Sequence, residues 1–352
     1  MEFLQSNYPP VRTGSPTFLD TFYSLLPQTE ELNIAVGYVT ADSLVELRQI
    51  AEMNHLEKLN LTIGMHYPDG FTRVEYNAAN RLNDYLNETG KGQVSLVTAF
   101  RYHGKLYSYS DRSGAFAGII GSNNLSSIVE GGSHVYESAF LLDSRHEAES
   151  MRAFISQINR NAASCISECE ITRFKNSNPV LEGHENVRRV DPLEMYECLQ
   201  AKTPLSFEIP LKGAEVSAQS NLNVFFGRGR VGVNGLVKPR HWYEVELIVP
   251  SSISLLPGYP RARTDEAVFK VITDDGWSFV CKVSGDYNKN FRSEGDLKIL
   301  GKWIKGRLEN AGALTVGEPV TQNTFRQYGR NTFTLTKTEI PNTWYLDFGV
   351  RE

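Results

Sequence analysis

The sequence has no apolar run of about 18 residues, the length that a membrane-spanning helix needs. Its first residues carry charge and prolines where a secretion signal needs an apolar stretch, so we expect a cytoplasmic protein with no membrane partner. Only four cysteines occur in 352 residues, and no histidine pair has zinc-finger spacing. We therefore expect reduced thiols rather than a disulfide framework, and prefer this to a zinc site at Cys165 and Cys169.

Internal repeats and low-complexity tracts are also absent, and the composition is that of a globular protein, with 41% hydrophobic and 22% charged residues. The chain is long enough for two domains, each with its own core. The net charge of −5 is unevenly divided: residues 1–200 carry −9 (16 basic, 25 acidic) and residues 201–352 carry +4 (20 basic, 16 acidic). A basic module joined to an acidic one is typical of a phosphate-binding domain, although many ordinary domains carry such a charge.

Strands and helices alternate through the first half of the chain. Hydrophobic periodicity predicts helices at 42–53, 72–86 and 145–166, and strands at 33–40, 59–65, 93–100, 104–110, 115–120 and 138–142. We therefore predict that residues 1–170 form an α/β sandwich with a mostly buried sheet.

The second half has a different pattern, with short segments rich in β-branched and aromatic residues. These predict strands at 205–211, 222–226, 242–249, 267–272, 277–283, 332–336 and 343–348, and one helix at 296–310 interrupts the series. We predict that residues 201–352 form a β-rich pseudobarrel with one or two helices. Residues 171–200 are interpreted as a linker that is partly helical near 192–199.

Polar side chains mark the ends of three consecutive predicted strands. His103 and Lys105 begin one strand, Ser122 and Asn124 follow the next, and Glu137 opens the third. Because residues two apart on a strand point to the same face, we expect His103 and Lys105 to lie side by side.

This set of side chains fits metal-independent cleavage of phosphodiester bonds, with no cofactor. A neutral imidazole attacks phosphorus when an acceptor, here Glu137, holds its other ring nitrogen. Lys105 supplies the positive charge that a metal ion supplies elsewhere, and Ser122 and Asn124 add donors for the non-bridging oxygens. The alternative is a structural His103 and a strand-edge Lys105. One His-x-Lys arises easily by chance, but the ordered set does not.

The ordered set resembles the signature of the phospholipase D superfamily, with His103-x-Lys105, Asp111, Gly121-Ser122-x-Asn124 and Glu137. Five residues separate Lys105 from Asp111 where four are usual, so the role of Asp111 stays open. The motif register favours Asn124 over Asn123 as the phosphate ligand. The resemblance implies a covalent phosphohistidine and an active site made by two facing motifs. A chain with one motif is therefore expected to form a homodimer.

Two loops in the second half concentrate basic and amide side chains. The loop at 225–240 contains Arg228, Arg230, Asn234, Lys238 and Arg240. The loop at 284–293 contains Tyr287, Asn288, Lys289, Asn290 and Arg292. Arginine pairs with guanine edges and asparagine with adenine edges, so both loops are candidates for reading double-stranded DNA, with solvated turns as the alternative. The predicted helix adds candidate phosphate contacts at Lys298, Lys302, Lys305 and Arg307.

A pseudobarrel with two such loops resembles the DNA-binding domains of plant B3 factors and EcoRII. Nearly the whole chain resembles restriction endonucleases of the BfiI and NgoFVII type, particularly at DDGWSFVCKVSGDYNKNFRS and LKILGKWIKGRLE. The resemblance implies a sequence-specific DNA endonuclease, a cognate DNA methyltransferase and, in some members, a separate ATPase or helicase-like subunit. Two alternatives stay open: a phosphodiesterase or transferase acting on a non-DNA substrate, and a dimeric DNA-binding regulator without catalysis.

Overall fold

The computed structural model describes residues 1–54, 56–129, 135–177, 179–231 and 237–350. It divides into two compact units: the first comprises Met1–Asn178 with Gly229–Pro239, and the second comprises Pro179–Arg228 with Arg240–Glu352. The division after residue 178 falls inside the segment that we interpret as a linker. In the part of the chain that the structure describes, no helix combines the length and the apolar character needed to cross a membrane.

The first unit alternates strands and helices. Its strands are β1 (Glu2–Gln5), β2 (Glu31–Val36), β3 (Lys58–Ile63), β4 (Phe71–Thr72), β5 (Val94–Val97), β6 (Leu106–Asp111), β7 (Gly114–Gly121), β8 (Ser138–Leu142), β9 (Ala163–Cys165) and β10 (Phe174–Lys175). Its helices are α1 (Phe18–Leu25), α2 (Ala41–Met53), α3 (His66–Asp69), α4 (Arg73–Glu88) and α5 (Arg145–Ala162). The central strands and the three predicted helices are present, whereas β1, α1 and β9 were not predicted.

The main sheet of this unit has the strand order β1-β8-β7-β6-β2-β3-β5-β9. Strands β2, β3 and β5 pair in parallel, and the other neighbours pair antiparallel. Side chains alternate between the faces: Leu106 packs with Met151 and Ile155 of α5, whereas Tyr107 and Tyr109 pack against Phe22 of α1. Both faces of the central strands are therefore buried, and the prediction of a phospholipase D-like α/β sandwich is confirmed.

Two short strands later in the chain also group with the first unit, β13 (Arg230–Val231) and β14 (Val237–Lys238). The remaining elements belong to the second unit. Its strands are β11 (Arg188–Arg189), β12 (Lys202–Pro210), β15 (Leu247–Ile248), β16 (Val268–Thr273), β17 (Trp277–Ser284), β18 (Asn290–Ser293), β19 (Thr332–Thr338) and β20 (Thr343–Asp347). The helices are α6 (Pro192–Gln200), α7 (Ser251–Ser254), α8 (Lys298–Asn310) and α9 (Gln322–Tyr328).

The strands of the second unit form a curled half-barrel sheet in the order β12-β19-β20-β16-β17-β18-β15, with β11 beside β17. This confirms the prediction of a strand-rich, B3-like domain. Two strand predictions are wrong in detail. Val224–Phe226 is a 3-10 turn, and within 242–249 only Leu247–Ile248 forms a strand, with Glu246 in an isolated antiparallel bridge to Asn221. Trp242 and Tyr243 instead pack against α8, where both donate hydrogen bonds to the Glu309 carboxylate at 2.7 Å.

Part of the segment interpreted as a linker is folded into the second unit. Helix α6 begins where its Asp191 cap accepts two backbone N–H bonds at 2.9 Å, which agrees with the helix predicted near 192–199. Cys198 of this helix is fully buried against Ile272 and Tyr345. This thiol packs as a core side chain, and the described cysteines form no disulfide.

Candidate catalytic and nucleic-acid-binding sites

The predicted catalytic residues lie at one edge of the main sheet. Ala35 of β2 pairs with Leu106, Leu106 pairs with Ile120, and Ile120 pairs with Phe140, all antiparallel. Because chain direction reverses at each step, the end of β2, the start of β6, the end of β7 and the start of β8 meet at the same edge. The sheet register therefore gathers the side chains that the sequence places at these strand ends.

His103 and Lys105 lie next to each other in the segment before β6, which begins one residue later than Lys105. The ammonium nitrogen of Lys105 is 3.1 Å from Nε2 of His103 and donates to the His103 carbonyl at 2.7 Å. An ammonium only donates, so this contact is a hydrogen bond in the tautomer that carries its ring proton on Nδ1. The imidazole is exposed, as a nucleophile needs to be.

Lys105 is a nearly buried cation, with 6% of its surface exposed. Burial lowers the pKa of its ammonium, and the negative charge of Glu137 partly opposes this shift. A desolvated cation attracts a phosphate more strongly than a hydrated one does. Glu137 thus acts on Lys105, and among the described contacts its carboxylate forms no hydrogen bond with His103. The predicted Glu137–imidazole contact stays a prediction.

Two residues that the sequence analysis missed shape the surroundings of His103. A β-carbon at Gly37 would lie 2.9 Å from Cδ2 of His103, so only glycine leaves room for the ring in this position. The ring of Tyr38 approaches His103 edge-on, with 5.7 Å between the ring centroids. Both residues directly follow β2, and a Gly-Tyr pair after a strand gives no signal in sequence of being next to a histidine 65 positions later.

The geometry separates the two candidate asparagines. Oδ1 of Asn124 accepts a hydrogen bond from the backbone N–H of Tyr38 at 3.0 Å, which leaves its NH₂ group as a donor for a ligand. Asn123 is buried, and its backbone carbonyl accepts a hydrogen bond from the Tyr107 hydroxyl at 2.9 Å. This arrangement supports the preference for Asn124 as the phosphate ligand.

Ser122 and Ser6 join the strands around Glu137. The Ser122 hydroxyl donates to the carbonyl of Ser138 at 3.3 Å and accepts from its N–H at 3.1 Å. On the other side, the N–H of Glu137 donates to Oγ of Ser6 at 2.8 Å. Ser122 therefore fixes the backbone beside Glu137, which is a supporting contribution to the site.

Asp111 lies at the opposite end of β6 from His103. Its carboxylate accepts from Arg145 at 2.8 Å and from the N–H of Ser113 at 2.7 Å. The hydrogen bond from Arg145 lowers the pKa of Asp111. The role left open by the motif spacing is therefore that of a turn residue paired with α5.

In the first candidate DNA-binding loop, Arg228 and Arg230 are exposed. Lys238 is partly buried, with its ammonium 4.7 Å from the ring centroid of Tyr23. Arg240 forms ion pairs with two glutamates, Glu244 at 2.6 Å and Glu246 at 3.3 Å. Asn234 lies outside the described residues.

The second candidate loop presents Tyr287 and Lys289 to solvent, with 69% of Tyr287 exposed. Arg292 is half-buried, and Asn290 is a β18 residue that pairs with Ser284. Asn288 is used internally. Its side chain accepts from the Ala262 N–H at 2.9 Å and donates to the Ser254 carbonyl at 3.3 Å. Tyr287 and Asn288 both adopt positive φ, at 60° and 55°.

The helix α8 does not offer the predicted row of phosphate contacts. Lys298, Lys302 and Lys305 are buried, and Arg307 is paired with Asp274. Lys305 is fully buried, donates to the Trp242 carbonyl at 2.6 Å and lies 3.9 Å from the centroid of the Trp242 ring. The prediction is wrong because segments distant in sequence cover this helix.

Two family models match the chain. The model of the NgoFVII restriction endonuclease N-terminal PLD domain matches residues 17–172. The model of the NgoFVII C-terminal B3-like DNA-binding domain matches residues 197–339. None of the curated proteins compared with the chain matches it.

Three solved structures are similar to part of the chain. NucT from Helicobacter pylori has 15% identity and a TM-score of 0.31, over 46% of this chain and 99% of its own. The phosphatidylserine synthase of Haemophilus influenzae Rd KW20 has 14% identity and a TM-score of 0.33, over 48% of this chain and 41% of its own. The polyphosphate kinase of Porphyromonas gingivalis has 11% identity and a TM-score of 0.31, over 51% of this chain and 26% of its own.

Proposed function

The chain belongs to the NgoFVII type of restriction endonucleases, with both the PLD domain and the B3-like DNA-binding domain present, and from this premise we propose how it cuts DNA. It hydrolyses phosphodiester bonds of double-stranded DNA at a specific sequence, without a metal ion. The reaction passes through a covalent phosphohistidine at His103. The observation that carries the proposal is the convergence of His103, Lys105 and Asn124 at one sheet edge.

The first chemical step is attack by Nε2 of His103 on phosphorus. The P–N bond forms as the P–O bond to the leaving nucleoside breaks, and the leaving oxygen takes a proton from a second histidine. Water then attacks the phosphohistidine and gives a proton to the second histidine, which breaks the P–N bond and restores both imidazole groups to their starting states. Two histidines are needed, and the chain has one motif, so the second is His103 of another copy.

Lys105 and Asn124 hold the non-bridging oxygens during both steps. The Lys105 ammonium lies 3.1 Å from the nucleophilic nitrogen, so it exchanges this contact for an oxygen of the bound phosphate. Asn124 donates through its NH₂ group, since Tyr38 already occupies its oxygen. Ser122 supports this edge. Glu137 supplies negative charge that favours the protonated Lys105, and we assign it the further role of orienting the imidazole.

An exposed apolar stripe beside the catalytic edge supports the homodimer. Phe3, Phe140 and Ile120 are neighbours across β1, β8 and β7, and all three are exposed. The rings of Phe3 and Phe140 lie 5.0 Å apart. Contiguous apolar surface of this kind is typical of a protein–protein interface. Its position next to Ser122 and Glu137 would bring two catalytic edges together.

The second domain binds DNA and selects the sequence. In this domain the proposed contacts are the exposed side chains of Arg228, Tyr287 and Lys289, with Arg292 and Asn290 as further candidates. Arg230 and Lys238, which group with the first unit, are proposed as additional contacts, and Asn234 is a candidate from the sequence alone. Asn288 shapes the second loop and Arg240 is held by glutamates, so we assign them supporting roles. A cognate methyltransferase would protect host DNA, and a separate ATPase or helicase-like subunit is the further candidate partner.

Incubation of the purified full-length chain with mixed plasmid DNA in EDTA, followed by sequencing of the ends, tests this function. We expect cleavage at one sequence, loss of cleavage but not of DNA binding in His103→Ala, and normal cleavage in His146→Ala, an exposed histidine of α5. Cleavage that requires a divalent metal would contradict the metal-free reaction. Binding without any cleavage would favour a DNA-binding regulator, and turnover of phospholipid but not DNA would favour a transferase.

A further inference from the structure

A series of contacts connects an exposed arginine, Arg101, with His103 and Asn124. Nη1 of Arg101 donates to Oδ1 of Asp69 at 2.9 Å, and the Tyr38 hydroxyl donates to Oδ2 of Asp69 at 2.6 Å. The N–H of Tyr38 holds Asn124, and the Tyr38 ring meets His103 edge-on. One connected set of side chains therefore reaches both the nucleophile and the phosphate ligand.

The fold keeps Asp69 in place at this edge. Asp69 ends the short helix α3, which follows β3, and Gly70 turns the chain away with a φ of 84°. The hydrogen bond from Tyr38 lowers the pKa of Asp69, and the same bond raises the pKa of Tyr38. The carboxylate is thus ionised while the phenol keeps its proton. Both carboxylate oxygens accept from protein donors, so the charge of Asp69 is compensated.

Arg101 has donors left over for a ligand. A guanidinium carries five N–H groups, and its side chain here is 64% exposed despite the ion pair with Asp69. It lies two residues before His103, on the same segment as the nucleophile. A planar, permanently charged fork of this kind suits the oxygens of a phosphate diester.

We propose that Arg101 is a subsite for the backbone phosphate next to the one that is cleaved, and that Asp69 and Tyr38 couple this subsite to the positions of His103 and Asn124. The inference rests on the proposed nuclease function and deepens it. A DNA strand in the site presents a phosphate on each side of the scissile one, and Arg101 is the exposed cation linked to the reacting centre. Tyr38 and Asp69 are positioning residues in this scheme.

A neutral substitution in the DNA tests the subsite directly. Once the cleaved bond is known, duplexes are made with an uncharged methylphosphonate at either neighbouring phosphate. For one of the two modified duplexes, the kcat/KM of the wild-type chain is expected to be about tenfold lower than for the unmodified duplex, the worth of one charge-assisted hydrogen bond. For Arg101→Ala, the modified and unmodified duplexes should have the same kcat/KM. Arg112→Ala is the matched control, since Arg112 forms a similar exposed ion pair with Glu30 at 2.8 Å. For Arg112→Ala, the kcat/KM for the modified duplex should be about tenfold lower than for the unmodified duplex, as in the wild type.

If Arg101→Ala loses the same factor in kcat/KM on the modified duplex as the wild type does, the two changes act independently, because the effects of independent sites add in free energy. That result would overturn the subsite. Tyr38→Phe tests the coupling: it keeps the ring and the N–H but removes the bond to Asp69. We expect kcat to fall about tenfold with little change in KM, as for a misplaced catalytic group. A wild-type kcat in this variant would overturn the coupling. If the wild-type chain cuts no DNA at all, the proposed function itself fails.

Discussion

Gly37 lies against the His103 ring so closely that a β-carbon at this position would be 2.9 Å from Cδ2. The last residues of β2 and the segment before β6 are neighbours because their strands pair antiparallel. The position of the His103 ring, the proposed nucleophile, is therefore set by the absence of a side chain directly after β2. This contact leads to the first prediction.

Gly37→Ala is expected to displace the imidazole while leaving the fold intact, because His103 is exposed and is free to rotate away. A shift of the nucleophile by less than 1 Å lowers kcat by about tenfold to a hundredfold. Steady-state cleavage of an oligonucleotide duplex measures this. Gly14→Ala is the control, since nothing lies within 4 Å of a β-carbon there. Full activity of Gly37→Ala would show that the ring tolerates displacement.

Asn124→Asp is the second prediction. The aspartate still accepts the Tyr38 N–H, but it loses both donors and places a negative charge where the phosphate binds. We expect kcat to fall by about a hundredfold or more, as for loss of one donor in an oxyanion site. Asn123→Ala should instead lower the melting temperature and keep kcat, because Asn123 is buried. The reverse pattern would identify Asn123 as the ligand.

The sequence was sufficient to predict which polar side chains meet at this sheet edge, because the strand ends that carry them are local features. Alternating apolar residues located β2, β6, β7 and β8, and their antiparallel register brings the polar ends together. Gly37 and Tyr38 were missed because their contacts with His103 depend on pairing between distant strands. No local pattern encodes such a contact.

The basic residues of α8 show the opposite failure. Four cations along one helix suggest a solvated or DNA-facing surface, but Trp242 and Tyr243 cover Lys302 and Lys305. These aromatic residues come from a segment about sixty positions earlier, where β-propensity predicted a strand. Tertiary packing overrode both local signals, and only the three-dimensional arrangement shows it.

The homodimer gives the third prediction. Phe140→Glu puts a charge into the centre of the exposed apolar stripe, and burial of that charge at an interface costs about 3 kcal/mol, or roughly a hundredfold in the dimer dissociation constant. Sedimentation velocity should show a monomer at micromolar concentration, and DNA cleavage should fall with it. Val216→Glu, at an exposed apolar position of the second unit, should stay dimeric. A dimeric and active Phe140→Glu would place the interface elsewhere.

The fourth prediction concerns Lys305 and the pH dependence of stability. Burial lowers the pKa of this ammonium to about 7 in the folded protein, from 10.5 for an unburied lysine, and the charge of Glu309 opposes the shift. Between these two values the unfolded chain binds more protons than the folded one. The free energy of unfolding therefore rises with pH from about 7 upward, by about 1.4 kcal/mol per pH unit from this group alone.

Lys305→Met removes the titrating group. Between pH 7 and 9, the free energy of unfolding of this variant should therefore rise less steeply than that of the wild type, by about 1.4 kcal/mol per pH unit. All four tryptophans of the chain, Trp242, Trp277, Trp303 and Trp344, belong to the second unit, so their fluorescence in urea follows this unit within the full-length protein. Lys289→Met is the control, because Lys289 is exposed and its removal should leave the slope unchanged. Parallel curves for the wild type and Lys305→Met would mean that Lys305 stays charged inside the fold. Its contacts with the Trp242 carbonyl and ring would then have to stabilise a buried ammonium without help from the solvent.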